Sequence, residues 1–509
     1  MTGAPAPAAG PRGWPAVNPR DADASCNAGL AALKAGTELQ ALPLLDAARA
    51  FHPHDARLWQ VTGLLYRSLD DLAPAVAAFE KAAALAPNDG LIAHGYARAA
   101  LEAGLPAVYL FERAHRIAPL DGAVTLGLAA ALSADVGCAA AIALIDEQLA
   151  QHPAWIPGHS LMARLKCVVG ERDGAAESFE RALRTAPGET EIWRELVTTL
   201  MHDDRFEDAL DAIGRARAAA GPHLAFDANE AVCIDELGDV AAADRLFAPL
   251  AQVDDFNFLI RRVRHALRAQ RPEEAVALVE PVLGVPHANM IVPYLAVAWR
   301  MLDDPRWAWL EGDERLVGVY DLSDDLPPLE MLAARLRALH NTTHAPLEQS
   351  VRGGTQTDGE LLSRIEPEIR ALRRAIVGAV ERHIGQLPPP DARHPILRLN
   401  RRALVRFAGS WSIRLTDRGY HANHIHPQGW FSSALYVVLP GAGGEAAPHA
   451  GWLELGGPQK ELGTGLPPTR RIEPKPGRLV LFPSTMWHGT APFEAGERLT
   501  VAFDVAPPP

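Results

Sequence analysis

No apolar run in this sequence approaches the roughly 20 residues that a bilayer-spanning helix needs, so no membrane segment is expected. Cysteine is scarce: Cys26, Cys138, Cys167 and Cys233 are scattered and form no CxxC pair. That excludes a disulfide framework or a cysteine zinc site and leaves four small buried hydrophobes in an expected reducing cytoplasm. Basic residues are in deficit, 49 Lys and Arg against 62 Asp and Glu for a net charge of −13. A binder of nucleic-acid backbones needs a basic face, and none is visible. The opening "MTGAPAPAAGPRGWPAVNPRDADAS" lacks an apolar h-region, so residues 1–24 read as a flexible leader rather than a signal peptide. "RGGTQTDG" has neither GK[ST] nor a strand directly before it, which argues against a phosphate loop and leaves a mobile loop.

What the chain does have is two grammars, as its 509 residues, too many for one core, lead one to expect. Prolines 53, 87, 119, 153, 187 and 222 fall at spacings of 34, 32, 34, 34 and 35. Between them lie pairs of short amphipathic helical segments, best seen in "LWQVTGLLYRSLDDLAPAVAAFEKAAALAPND". Gly63 permits close helix approach, Ala75, Phe79 and Ala82 fill the space between hairpins, and Pro87 closes the unit. A period near 34 of this kind is the tetratricopeptide-repeat signature. Such an array offers a concave face to a protein or peptide partner, or serves only to space or dimerise the protein; the sequence does not choose, nor does it give the number of copies.

From about Asp303 the grammar changes. A mixed stretch with a long helix, "LLSRIEPEIRALRRAIVGAVERHIGQL", is followed by short strands rich in Val, Leu, Phe and Tyr between Gly and Pro turns. Trp307 and Trp309 read as core or interface aromatics. The expected architecture is multidomain α + β: leader 1–24, α-solenoid 25–300, a mixed support region 301–395, and an antiparallel barrel or sandwich over 396–509.

The chemistry sits in the second grammar. In "GYHANHIHPQGWFSSALYVVLP", His424 and His426 stand two apart, so a strand aims both imidazoles the same way. His488 follows the apolar strand "GRLVLF", and Arg498 and Thr500 share one face of "RLTVAFDV". His421, three before His424, would face the other way. A three-histidine cupin is the rival reading, but no Glu follows within 428–435 and His488 lies eleven residues after Gly477, which fits a cupin at neither spacing.

"HIHPQGWFSSALY" and "PKPGRLVLFPSTMWHGTAPFEAGERLTVAF" resemble the paired motifs of prolyl-hydroxylase-like Fe(II)/2-oxoglutarate-dependent oxygenases, with Ser433 where the group has Gly. The resemblance implies a double-stranded β-helix (jelly-roll) fold with iron held by His424, His426 and His488. It further implies a 2-oxoglutarate tail gripped by Arg498, with Thr500 and Tyr436 assisting. Three protein ligands leave positions for 2-oxoglutarate and O2. Ser412 and Arg414, on the polar alternation of "GSWSIRLT", are further candidates for the pocket wall. The wider superfamily has Asp or Glu where His426 stands, and no acid lies between Gly419 and Pro440 to replace it. Three outcomes stay open: three imidazoles hold the ion, His426 swings away and water takes its place, or the site is inactive. The implied function is a dioxygenase hydroxylating a side chain of a protein or peptide recruited by the repeats. The alternatives are an adaptor with a degenerate barrel and an oxygenase of small molecules.

Overall fold

The computed structural model describes residues 17–285, 287–344, 347, 350–440 and 448–508. Most of the leader expected over 1–24 lies outside the described residues, and the helix Ala22–Ala35 begins within that span, capped by Asp21, which accepts from the Ala24 backbone.

Among the described residues, fourteen α-helices run from Ala22 to Phe247, and consecutive ones pack as hairpins, as Ala56–Ser68 does on Leu72–Leu85 and Thr190–His202 on Phe206–Ala220. The proline period is written into their ends. Helices Glu38–Phe51, Leu72–Leu85, Val108–Ile117, Cys138–Gln151, Glu177–Thr185 and Phe206–Ala220 all stop two residues before a proline of the series. Proline restricts the residue before it to extended backbone and has no N–H to continue the ladder. Its carbonyl is then reused at a constant step of six residues: Trp59 Nε1 donates to Pro53 O (3.2 Å), His159 Nε2 to Pro153 O (2.9 Å) and Trp193 Nε1 to Pro187 O (2.8 Å). The glycines set the packing distance. A Cβ on Gly63 would lie 2.7 Å from the Phe79 ring and one on Gly95 2.5 Å from its other edge, so a single ring is clamped between two helices. These helices form a tetratricopeptide-type solenoid.

The chain divides into two compact units. One comprises the residues up to Ala141 together with Gly359–Arg370, where Ile365 N donates to Ala103 O (3.1 Å). The other, 142–358 with 371–508, contains the later helices and every strand. Those strands are β1 Gly318–Asp321, β2 Val351–Gln356, β3 Phe407–His424, β4 Phe431–Val438, β5 Leu453–Leu455, β6 Arg470–Ile472, β7 Arg478–Pro483, β8 His488–Thr490 and β9 Glu497–Val505. They make one antiparallel sheet in the order β1-β7-β4-β9-β3-β8-β5-β6, with β2 added on β3, a half-barrel of jelly-roll kind.

The expected mobile loop "RGGTQTDG" is largely strand. β2 pairs with β3 around a bulge between Arg352 and Gly354, and a Cβ on Gly354 would strike Arg414 O at 2.3 Å. Its glycines permit a close backbone approach rather than mobility.

One core joins the last helices to the β domain. Val263, Leu267, Leu295 and Trp299 of helices Phe256–Arg268 and Val292–Met301 pack with Trp487 and Leu462, and Ile425 and Trp307 lean on the same cluster. Trp487 Nε1 donates to Pro293 O (3.1 Å), while Trp309 is more exposed and donates to Asp391.

Candidate metal centre

Two strand ends and one turn build the site. His424 is the last residue of β3 and lies directly opposite His488, the first of β8. Opposed residues of an antiparallel pair project from one face. His426 lies just past the end of β3 rather than on it, held by a bond from its backbone N to Ser484 O (2.9 Å). Ile425 between them turns the other way, into the helical core. The three imidazoles converge: ring centroids are 4.1 Å apart for His424–His488, 4.9 Å for His424–His426 and 5.1 Å for His426–His488. One nitrogen of each lies within 4.8 Å of the others.

The other nitrogens are already committed. Nδ1 of His424 donates to Ala422 O (2.8 Å), Nδ1 of His488 to Met486 O (3.1 Å), and Nδ1 of His426 to Asp504 Oδ2 (2.6 Å). These bonds fix the tautomer that leaves every Nε2 with a lone pair for a cation, the usual outer arrangement around metal-bound histidine. Ser350 Oγ meets Nε2 of His424 at 3.2 Å. Burial first, and the neighbouring imidazoles second, hold His424 and His488 well below the ordinary histidine range, so both are neutral and ligand-ready. The donor set fits a divalent transition metal.

Behind them lies Arg498, 3% exposed on β9 and with no carboxylate partner among the described residues. Its guanidinium carbon is 5.2 Å from the centroid of Tyr436, whose hydroxyl is buried and, like Arg498 Nε, lacks a close hydrogen bond. Burial lowers the Arg498 pKa and raises that of Tyr436. A buried guanidinium without an anion is costly, and it faces the cavity that the histidines line. That fits a carboxylate-bearing co-substrate. Thr500 lines the same cavity, and Tyr436 stands opposite it on β4.

Ser412 and Arg414 are not brought to the site, which corrects the expectation that they line the pocket. β3 pairs with β9 so that Trp411 faces Ala502, Ile413 faces Thr500 and Leu415 faces Arg498. Trp411 and Ile413 thus share the cavity face, and the intervening residues point away: Ser412 meets His340 Nε2 (3.1 Å) and Arg414 pairs with Glu497 (2.7 Å). His421, expected to face the other way, lines the cavity. A bulge sets four residues of β3 (421 to 424) against three of β8 (490 to 488), which reverses the parity. Burial pushes the His421 pKa down to about 3, with Arg498 adding to the shift.

Asp504 escaped the sequence reading. It answers the missing acid near His426 from the far end of the motif, and it also accepts from Ser432 Oγ (2.6 Å). Its signal was the alternation of Arg498, Thr500, Ala502 and Asp504, all of which line the cavity.

Comparison with known proteins agrees with this division. Residues 409–504 match the family described as "Putative 2OG-Fe(II) oxygenase", and residues 17–234 match a tetratricopeptide-repeat family. The chain thus joins a region that matches tetratricopeptide repeats to one that matches the putative 2OG-Fe(II) oxygenase family. Among solved structures, MamA from Desulfovibrio magneticus RS-1 is 20% identical and covers 33% of this chain and 96% of its own, with a TM-score of 0.29. YrrB, described as a TPR protein with an unusual peptide-binding site, is 18% identical over 36% of this chain and 95% of its own, with a TM-score of 0.24. The Thermobaculum terrenum O-GlcNAc transferase is 16% identical over 25% of this chain and 26% of its own, with a TM-score of 0.24. At these values nothing about ligand or activity transfers. No curated protein matches the chain. Among the described residues no helix is long and apolar enough to cross a membrane.

Proposed function

We propose that the protein is an Fe(II)/2-oxoglutarate-dependent dioxygenase that hydroxylates a side chain of a protein or peptide recruited by its repeats. Within it we assign 25–300 to the solenoid, 301–395 to its support and 396–509 to the catalytic domain. The observation that carries the reading is the meeting, in one cavity, of three converging imidazoles and a buried arginine without a carboxylate partner among the described residues.

His424, His426 and His488 would hold the iron through Nε2. Arg498 would bind the distal carboxylate of 2-oxoglutarate in a forked, charge-assisted contact, with Thr500 beside it and Tyr436 against the guanidinium face. When bound, the ion with 2-oxoglutarate and O2 supplies C–H hydroxylation, yielding alcohol, succinate and CO2. Asp504 orients His426 and places a negative charge behind it, so the anion that other members put on the metal is here one ring further out. Trp411, Ile413 and Phe482 keep the cavity wall apolar and exclude water.

The test is direct. Purified protein with Fe(II), ascorbate and 2-oxoglutarate is expected to form succinate without added substrate, and His488→Ala or Arg498→Ala to abolish it. Absence of both metal and 2-oxoglutarate binding would leave the adaptor reading instead.

A further inference from the structure

Two cavities adjoin the metal centre. The smaller, about 580 Å3, is lined by Ser350 and His424, which also line the metal cavity, and by Met201, His202, Arg261 and Arg264 of the helices. The larger, about 730 Å3, shares those four helical residues and continues over Ala228, Asn229, Val232 and Asn257 to Ile425 and Pro427. On the helix Leu224–Glu236 its lining residues recur at i, i+1, i+4, i+5 and i+8, one stripe of one face. Either cavity alone has the size of a site for a drug-sized molecule, about 300–1,000 Å3. Joined, they form a channel suited to an extended chain.

Charge and hydrogen-bonding capacity say what that chain carries. The only carboxylate near Arg261 among the described residues is Glu236 at 3.8 Å, already held by Arg264 (2.8 Å) and Arg268 (2.5 Å). Nε of Arg264 is buried without a partner. Three guanidiniums therefore share Glu236; Arg264 also donates to Gln459 (2.7 Å), and Arg261, whose ion pair is the long one, has most capacity left where the two parts of the channel meet. Of the acids on the walls, Asp255 caps its own helix and Asp204 faces Arg352 at 3.6 Å. Glu461 lines only the smaller cavity. Asn229 and Asn257, on the helices Leu224–Glu236 and Phe256–Arg268, make no side-chain hydrogen bond among the described residues, and a free carboxamide offers both the donor and the acceptor that a peptide backbone needs.

We propose that this channel binds an extended peptide segment bearing an Asp or Glu, with the carboxylate on Arg261 and Arg264 and the backbone on Asn229 and Asn257, so that a neighbouring residue reaches His424. The proposal deepens the oxygenase reading by naming the substrate class, but binding is measurable apart from turnover.

The experiment selects from a displayed library of random decapeptides on the full-length protein, in buffer without iron or 2-oxoglutarate. Failure of the oxygenase reading then leaves this measurement untouched. Expected is enrichment of sequences with an acid at a fixed position. Fluorescence anisotropy of the best peptide should show roughly tenfold weaker binding when that acid becomes its amide, or in Arg261→Ala. Arg261 makes only the long contact described, so its loss spares the fold; Arg261→Lys should restore part of the affinity. No enrichment, enrichment without an acid, or affinity indifferent to Arg261→Ala would each overturn the proposal. So would binding of N-acetylglutamate by a protein that binds none of the peptides.

Discussion

Buried charge is handled in opposite ways in the late helices and in the β sheet. In the helices one buried cluster is internally paired: His265 lies between Asp235 (2.7 Å) and Asp244 (2.9 Å), and Arg268 pairs with Asp235 and Glu236. Burial pulls the His265 pKa down, but the two aspartates outweigh it and the net shift is upward. In the sheet, Arg498 has no carboxylate partner among the described residues, and three imidazoles bring a free nitrogen each to within 4.8 Å of the others. Paired buried charge fixes a structure, whereas unpaired buried charge calls for a ligand.

The largest effect would break the comparison outright. Arg498→Met is expected to remove 2-oxoglutarate-dependent succinate formation by a factor of about 10³ or more, an Arg–carboxylate contact and its orientation being lost together. Its urea midpoint should stay unchanged or rise, because no counter-ion is stranded. A large loss of stability would mean that Arg498 is structural. The converse is Asp235→Ala, which takes one of two carboxylate partners from both Arg268 and His265 and should cost about 1–3 kcal/mol in urea unfolding. Asp504→Asn sharpens the point within the sheet: it keeps the shape but removes the charge behind His426, so Co(II) affinity read by visible absorption should fall about 10–100-fold. An unchanged affinity would reduce Asp504 to a packing residue.

The smallest effect concerns histidines that are buried without a counter-ion of their own. Burial pushes His340, hydrogen-bonded to Thr355 and Ser412 and near Arg414 and Glu497, down to about 4, and burial does the same to His383. Below the ordinary value of about 6.5 the unfolded chain takes up protons that the folded one refuses. Stability is therefore full above about pH 6.5 and is lost as pH falls toward 4, by order 1–3 kcal/mol for each group. His383→Gln should flatten the melting temperature between pH 7 and 5; an unaltered slope would count against it.

What could be read from the sequence follows how local the determinants are. The solenoid rests on helix pairs that repeat every 34 residues or so, and its prolines and glycines act within one or two turns, so the period alone announces them. The histidine and arginine set was legible because strand parity links His424 to His426 and Arg498 to Thr500. Parity failed where a bulge intervened, at His421, and where two faces compete, at Ser412 and Arg414. A polar stripe on β3 reads as a pocket wall until the register with β9 shows that Trp411 and Ile413 face inward. Asp504 is 78 residues from the ring it holds, a pairing that only the folded sheet reveals.

The indole of Trp487 has a consequence for anyone wishing to shorten the protein. It ties the residue before His488 to Pro293, and Ile425, flanked by His424 and His426, rests on the same helical packing. A fragment beginning at residue 396 would bare these side chains to water and lose the scaffold that keeps two ligand-bearing segments in register. Activity should not be separable by scissors: the helices before the sheet belong to its foundations.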